Sequence, residues 1–446
     1  MKDLTTGNES KLILQFVAPM LLGNVFQQMY NIVDSIIIGN YIGKEALAAV
    51  GASFPIIFAL ISMIIGFATG ATIMIAQYFG ARQMDNVKKT IDTMYIVMFV
   101  ASIILSALGL VFSESIFRLI QLPEDVMPHA TLYMNIYVSG LIFFFGFNGT
   151  AAILRGLGDS KTPLYFMIIS TLMNVGLDLL FVIVFKWGVA GVAVATILSQ
   201  GGAFITSIIY LNKTHKVVNL TIFKLHFDRA IFKKSLQIGL PTGFQQTFVS
   251  IGLIAIVWIV NLHGTDVIAA FSIAIRIDSL ASLPAMNFAA ALATFVGQNL
   301  GANKAERVKK GLIATFVMTS IVSVSISLLA IFFSHYLMGA FTQDPNVIDI
   351  GSKYLIIVSS FYIVFSTMFV LNGVMRGAGD TLIPMFITLI ALWAVRIPAS
   401  YFLSQNMGET GIWWAIPIGW FLGMILSYLY YLTGRWKRKA IIKYEN

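Results

Sequence analysis

Runs of about 20 or more apolar residues recur along nearly the whole chain, the length a helix needs to cross a hydrocarbon core. They predict twelve helices, at about 12–39, 45–79, 90–113, 129–154, 162–186, 188–212, 237–262, 266–298, 309–334, 348–374, 382–404 and 411–434. A polar stripe interrupts the first run. Asn24, Gln27, Asn31 and Asp34 follow at steps of three, four and three, which sets all four on one helical face. A carboxylate at mid-helix costs roughly 2.5–3.5 kcal/mol on insertion scales, so Asp34 is expected to face a partner, an ion or a water-filled cavity.

The one long stretch of mixed, basic composition falls at mid-chain. It divides the sequence into an N-lobe at 1–212, a cytoplasmic linker at 213–236, and a C-lobe with a basic tail at 237–446. An internal repeat supports the division. At one offset of 221, Gln77-Tyr-Phe-Gly-Ala aligns with Gln298-Asn-Leu-Gly-Ala, Val87-Lys-Lys with Val308-Lys-Lys, and Tyr133 with Tyr354. Arg155-Gly-Leu-Gly-Asp before Pro163 aligns in the same way with Arg376-Gly-Ala-Gly-Asp before Pro384. Six helices per half give both halves the same orientation. The expected fold is an all-α polytopic membrane protein with twelve transmembrane helices in two pseudo-symmetric six-helix lobes. These would be parallel repeats around a central cleft, for which alternating access is the natural mechanism.

The Arg-Gly-x-Gly-Asp elements read as tight inter-helix turns with a local ion pair, a gating role being the alternative; glycine supplies the left-handed turn and proline starts the next helix. Pro19, Pro55, Pro241, Pro284 and Pro398 fall inside predicted helices, where bending is expected.

Composition removes other classes. Of 446 residues, 58% are hydrophobic and 11% charged, with mean hydropathy +0.85, which matches no soluble globular domain. The net charge of +9 would suggest nucleic acid in a soluble protein, but here the positions of the 29 Lys and Arg give another answer. Only Lys44, Arg118, Lys186 and Lys353 fall on one side of the membrane, and Arg276 and Arg396 lie within helices. The rest are on the side that holds both termini, which makes the termini cytoplasmic at the cell membrane. No cysteine is present, so thiol and disulfide chemistry are excluded. The five histidines show no metal-ligand spacing. The first apolar stretch does not resemble a cleavable signal peptide. No catalytic residue or cofactor is expected, and the chain is read as a transporter rather than an enzyme.

At about 1.5 Å per residue, Asp34, Asp178, Thr196 and Tyr137 lie at similar depths, roughly 9–13 Å from the outer helix ends, with Asn174 one turn from Asp178. Two carboxylates, an amide, a hydroxyl and a phenol at one level suit Na⁺ as hard oxygen ligands, and two adjacent acids also suit a proton. A static hydrogen-bonded cluster is the inert alternative. The repeat argues against inherited packing, since Asp34, Asn174, Asp178 and Thr196 fall on Ala255, Val395, Ala399 and Pro417 in the second half. That half has its own intramembrane charges, Arg276, Asp278 and Arg396. Arg276 and Asp278 face different directions, whereas Asp278 and Arg396 could pair across helices as a structural pair or a substrate contact. Gln27 and Asn31 are candidates for a hydrated approach or substrate cleft.

These residues resemble the multidrug and toxic compound extrusion (MATE) family. The signs are Pro19 and Asp34 in the first helix, Ala46-Leu-Ala-Ala-Val opening the second, Gln77-Tyr-Phe-Gly-Ala-Arg ending it, and Arg155-Gly-Leu-Gly-Asp-Ser-Lys-Thr-Pro after the fourth. The resemblance covers almost the whole chain. It implies cation-coupled export of organic, often cationic and amphipathic, compounds. In the DinF-like branch a first-helix Asp, a fifth-helix Asn-x-x-x-Asp and a sixth-helix Thr form an N-lobe cation site, positions matched here by Asp34, Asn174, Asp178 and Thr196. The NorM-like branch uses acids in the seventh and tenth helices, where this sequence offers Gln245-Gln-Thr-Phe-Val and no acid after Asp349.

The expected activity is therefore Na⁺- or H⁺-coupled antiport of small organic compounds, by a monomer in the bilayer with no nucleic-acid partner. A lipid-linked oligosaccharide flippase of the same superfamily is the alternative, with only Arg276 and Arg396 to meet a pyrophosphate. A major facilitator protein is disfavoured because the loop after the second helix lacks that family's signature. An ATP-driven pump is disfavoured because no G-x-x-x-x-G-K-[ST] loop occurs. The absence of native cysteine makes the topology directly testable: Lys437→Cys is expected to react with an impermeant maleimide only from inside the cell, and Lys186→Cys only from outside. Labelling of both from one face would break the assignment.

Overall fold

The structure, a computed structural model, describes residues 2–214 and 225–444; positions 215–224 of the expected linker, with His215, Lys216 and Lys224, lie outside the described residues. All regular elements among the described residues are helical. Among the described residues ten helices are long and apolar enough to cross a membrane, and two bent pairs, each counted as one span, bring the number to twelve. In order the first three are Glu9–Tyr41, Lys44–Gly80 and Met84–Leu119. The fourth is Met127–Ser139 with Leu141–Gly156, and the fifth runs Lys161–Asp178 into a π-helix, Leu179–Val184. The sixth to ninth are Val189–Thr214, Arg229–Asn261, Thr265–Gly301 and Ala305–Phe332. The tenth pairs Pro345–Ser359 with Tyr362–Gly377. The eleventh joins Leu382–Leu389, a π-helix Ile390–Arg396, and Ile397–Met407, and the twelfth is Glu409–Leu432.

The seventh span starts earlier than its apolar run, taking residues 229–236 from the expected linker. Asp228 is the reason, because its carboxylate accepts from the amides of Ile231 at 3.0 Å and Ala230 at 2.9 Å and so caps the helix. The same bonds hold the half-buried Asp228 carboxyl below the usual carboxylate range.

The two broken spans do not break at prolines. Pro19, Pro55, Pro241 and Pro284 sit inside continuous helices, and Pro398 lies in the first turn of the eleventh span's last segment. The chain breaks instead at Gly140, by 52°, and at Ser360–Phe361, by 48°, one repeat offset apart. A helix end leaves carbonyls without intrahelical donors, which cannot be left bare inside a bilayer. Ser106, from the third span, donates to the Val138 carbonyl at 2.5 Å, and Ser327, from the ninth, donates to the Ser359 carbonyl at 2.5 Å. These four residues are themselves related by 221.

The two Arg-Gly-x-Gly-Asp turns are also equivalent. Gly158 at φ 79° and Gly379 at φ 91° provide the left-handed residue, and the amides of Asp159 and Asp380 close back onto Leu154 and Met375 at 2.8 and 2.9 Å. Asp159 then caps the fifth span through the amides of Lys161 and Thr162, both at 3.0 Å. The expected local ion pair does not form in either turn among the described residues. Arg376 instead donates to Gln245 Oε1 at 2.6 Å, while Asp380 accepts from Tyr430. Behind each turn the helices approach closely: a Cβ on Gly156 would meet the Thr72 carbonyl at 2.9 Å, and one on Gly377 would strike that of Ala293.

Two compact units result, one of Met1–Lys2 and Ala18–Leu240, the other of Asp3–Val17 and Pro241–Asn446. Their limits differ from the expected lobes in two stretches, because Asp3–Val17 counts with the second unit and the start of the seventh span with the first. In the first unit Met94, Phe117, Met134 and Phe145 are buried at the core. In the second unit Leu4 is buried, its amide donates to Gln298 Oε1 at 2.9 Å, and Glu9 pairs with Arg307 at 2.9 Å. The core there stacks Trp413 on Phe271 at 5.6 Å and sets it edge-on to Tyr354 at 4.9 Å.

Ser106→Ala and Ser327→Ala would each strand a carbonyl at a bend, with an expected loss of about 1–3 kcal/mol. Thermal melts of the purified protein should show both destabilised and the Ser→Thr versions, which keep the hydroxyl, less so; unchanged melts would remove the serines' role.

Candidate functional site

The first unit gathers the polar residues of three spans at one point. Asp34 lies one turn beyond Tyr30 on the first span. Asn174 and Asp178 are one turn apart on the fifth span, and Asp178 is its last α-helical residue before the π-helix. Thr196 comes from the sixth. Asn174 and Asp178 have no solvent exposure, Thr196 is buried and Asp34 half-buried.

Oriented to satisfy its neighbours, the Asn174 amide nitrogen donates to Asp178 Oδ2 and to Asp34 Oδ1, each at 3.1 Å. The two carboxyl groups are within hydrogen-bonding reach of one another, and the Tyr30 hydroxyl reaches Asp34. The hydroxyls of Tyr30 and Thr196 are 3.1 Å apart, and Thr196 also donates to the Val192 carbonyl at 3.0 Å. A continuous polar chain thus runs Thr196, Tyr30, Asp34, Asn174, Asp178. Asp178 Oδ1, at its end, is buried without a donor. Two acids in contact repel when both are ionised, so this arrangement calls for one added positive charge, a metal cation or a proton. Among the described residues no three His, Cys, Asp or Glu side chains gather to hold a metal ion.

The remaining expected residues are placed less centrally. Tyr137 is half-buried and stacks on Tyr133 at 6.0 Å; it is Tyr133, one turn earlier, that lies close enough to feel both carboxyl charges. Gln27 and Asn31 are exposed, and the Asn31 amide bonds Gln28 at 3.2 Å rather than any cluster member. Asn24 is half-buried. In the second unit Arg276 is exposed, while Asp278 and Arg396 are half-buried and make no ion pair with each other. Tyr30 and Tyr133 are the two site residues that spacing did not single out. Tyr30 had a usable signal, since it lies four residues before Asp34 on the same face.

Twelve spans in two repeated units, with two carboxyl groups brought together between the spans of one unit, define a polytopic membrane transporter. A family model described as MatE matches residues 19–180 and again 241–402, once per half. The chain belongs to this family of multidrug and toxic compound extrusion transporters. It is 34% identical over 437 residues to the probable multidrug resistance protein YpnP of Bacillus subtilis (strain 168), covering 98% of this chain and 97% of that protein. It is 30% identical to the probable multidrug resistance protein YoeA of the same organism, covering 96% and 94%. A solved outward-facing conformation of a multidrug resistance MATE family transporter of the MOP superfamily matches with a TM-score of 0.89 at 23% identity, covering 98% of this chain and 99% of that one. The flippase alternative is not favoured by these relatives.

If the hydroxyl contact fastens the sixth span to the first, Tyr30→Phe and Thr196→Val should each cost about 1 kcal/mol and be non-additive. A double-mutant cycle on thermal stability checks this, and additive losses would show that the two hydroxyls act independently.

Proposed function

We propose that the chain is a cation-coupled secondary antiporter that exports small organic compounds, amphipathic or cationic ones foremost, from the cell by alternating access. It works as a monomer, with both termini cytoplasmic. The observation that carries this reading is the contact of the Asp34 and Asp178 carboxyls through Asn174, with an acceptor oxygen left open at Asp178. The relatives named for multidrug resistance support the substrate class.

In this reading Na⁺ or H⁺ arriving from outside supplies the missing positive charge. Asp34, Asp178 and Thr196 offer oxygen ligands to Na⁺, and Asn174 would add its oxygen by turning its amide over; a proton would instead be shared between the two carboxyls with the amide as it stands. Either ion lets the first, fifth and sixth spans close tightly on the site, and its departure restores the repulsion that loosens them. The energy of the ion gradient thereby biases the first unit toward substrate release. Gln27 and Asn31 would serve as the wetted approach below the acids. The match of the site residues to the DinF-like pattern, together with a seventh span that carries no acid, supports a reading in which coupling lies in the first unit.

Proteoliposomes under separately imposed Na⁺ and pH gradients test this. Wild-type efflux should follow one of the gradients, and Asp34→Asn and Asp178→Asn should each lose ion-driven efflux while keeping a wild-type melting profile. Full efflux in both variants would defeat the proposal.

A further inference from the structure

The second unit holds a charged cluster that the coupling chemistry leaves unused. Asp278 comes from the eighth span, Tyr354 and Tyr362 from the two halves of the tenth, and Arg396 from the eleventh. Tyr354 and Tyr362 bring their hydroxyls toward Asp278, but the Tyr362 hydroxyl closes no well-aligned hydrogen bond and Asp278 Oδ1 has no donor. Arg396 lies near enough to interact electrostatically with Asp278 and Tyr354, yet its Nε has no acceptor and no nitrogen of it comes within ion-pair distance of the carboxylate. Nearby, the fully buried Trp413, in edge contact with Tyr354, has an indole N–H without a partner; Ser400, one turn past Arg396, has an unpartnered hydroxyl.

A structural ion pair looks different. In apolar surroundings a carboxylate and a guanidinium this close attract strongly, and burial is tolerable only when their donors and acceptors are matched. Here a buried acceptor on the acid and a buried donor on the base both lack partners, while the rest of each side chain stays only half-buried. Inherited packing does not explain them either, because Asp278 and Arg396 fall on Ile57 and Val175 in the first half. Only Tyr354 has its counterpart, Tyr133. Arg396 is also the last residue of a π-helix, a local widening that recurs at ligand sites.

We propose that Asp278 and Arg396 form a binding site for a zwitterionic amphipathic ligand, its cationic group on Asp278 and its carboxylate on Arg396, over a core in which Tyr354 and Tyr362 are buried. The first unit, with two acids and no base, takes a bare cation; the second, with one acid and one base, takes a molecule carrying both charges. This rests on reading the chain as an exporter of organic compounds, and it adds a preference within that class.

The test is binding at equilibrium, without any gradient, so a failure of ion coupling would not disturb it. Fluorescence anisotropy with the full-length protein in nanodiscs compares rhodamine B, which carries a free carboxylate beside its cationic ring system, with its ethyl ester, which carries the cation alone. Wild type should bind the acid about tenfold more tightly than the ester, the equivalent of one charged hydrogen bond. Arg396→Gln should erase the preference, Arg396→Lys should keep most of it, and Asp278→Asn should weaken both dyes. Equal affinities in wild type, binding of neither dye, or a preference that survives Arg396→Gln in a protein with a normal melting profile would each overturn the proposal.

Discussion

A carboxylate placed inside a bilayer has to be compensated, and two in contact have to be compensated together. That constraint organises the first unit. Asn174 can donate to both acids only because it stands one turn from Asp178, and Asp34 can meet them only where the first span lies against the fifth. Tyr30 and Thr196 extend the arrangement to the sixth span. Three helices therefore share one electrostatic problem. Whatever supplies its positive charge necessarily acts on how those helices pack.

The repeat separates scaffold from chemistry. Bends, serine contacts at the bends, left-handed glycines and close helix approaches recur at the 221-residue offset, and these features determine how the chain fits a membrane. The acids and bases of the two buried clusters do not recur. The first half carries two acids at its centre, the second an acid and a base, both on one architectural frame.

The sequence was legible where a local rule suffices. Apolar run length defined the spans, and helical rise and period put Asp34, Asn174, Asp178 and Thr196 at one level. What a local rule could not reach depended on neighbours in space. Tyr30 reads as one more aromatic residue in an apolar helix until the sixth span places Thr196 against it. The kinks fall at Gly140 and Ser360 because serines on other helices satisfy the exposed carbonyls, whereas prolines such as Pro55 and Pro284 are absorbed without a break. Arg376 prefers Gln245, more than a hundred residues away, to the aspartate four residues along its own turn. The early start of the seventh span depended on one capping residue, Asp228, beyond the apolar run that marked the helix.

The bent fourth and tenth spans have a consequence for how the protein is made. Met127–Ser139 and Leu141–Gly156 are about 20 and 24 Å long at 1.5 Å per residue, so neither half alone crosses a hydrocarbon core of about 30 Å. During synthesis each such span has to leave the insertion machinery as a jointed unit, with a polar joint already inside the bilayer. The preceding helix carries the serine that covers the joint, and it is synthesised first. The order of the chain thus delivers the hydrogen-bond donor before the carbonyl that needs it, in both halves.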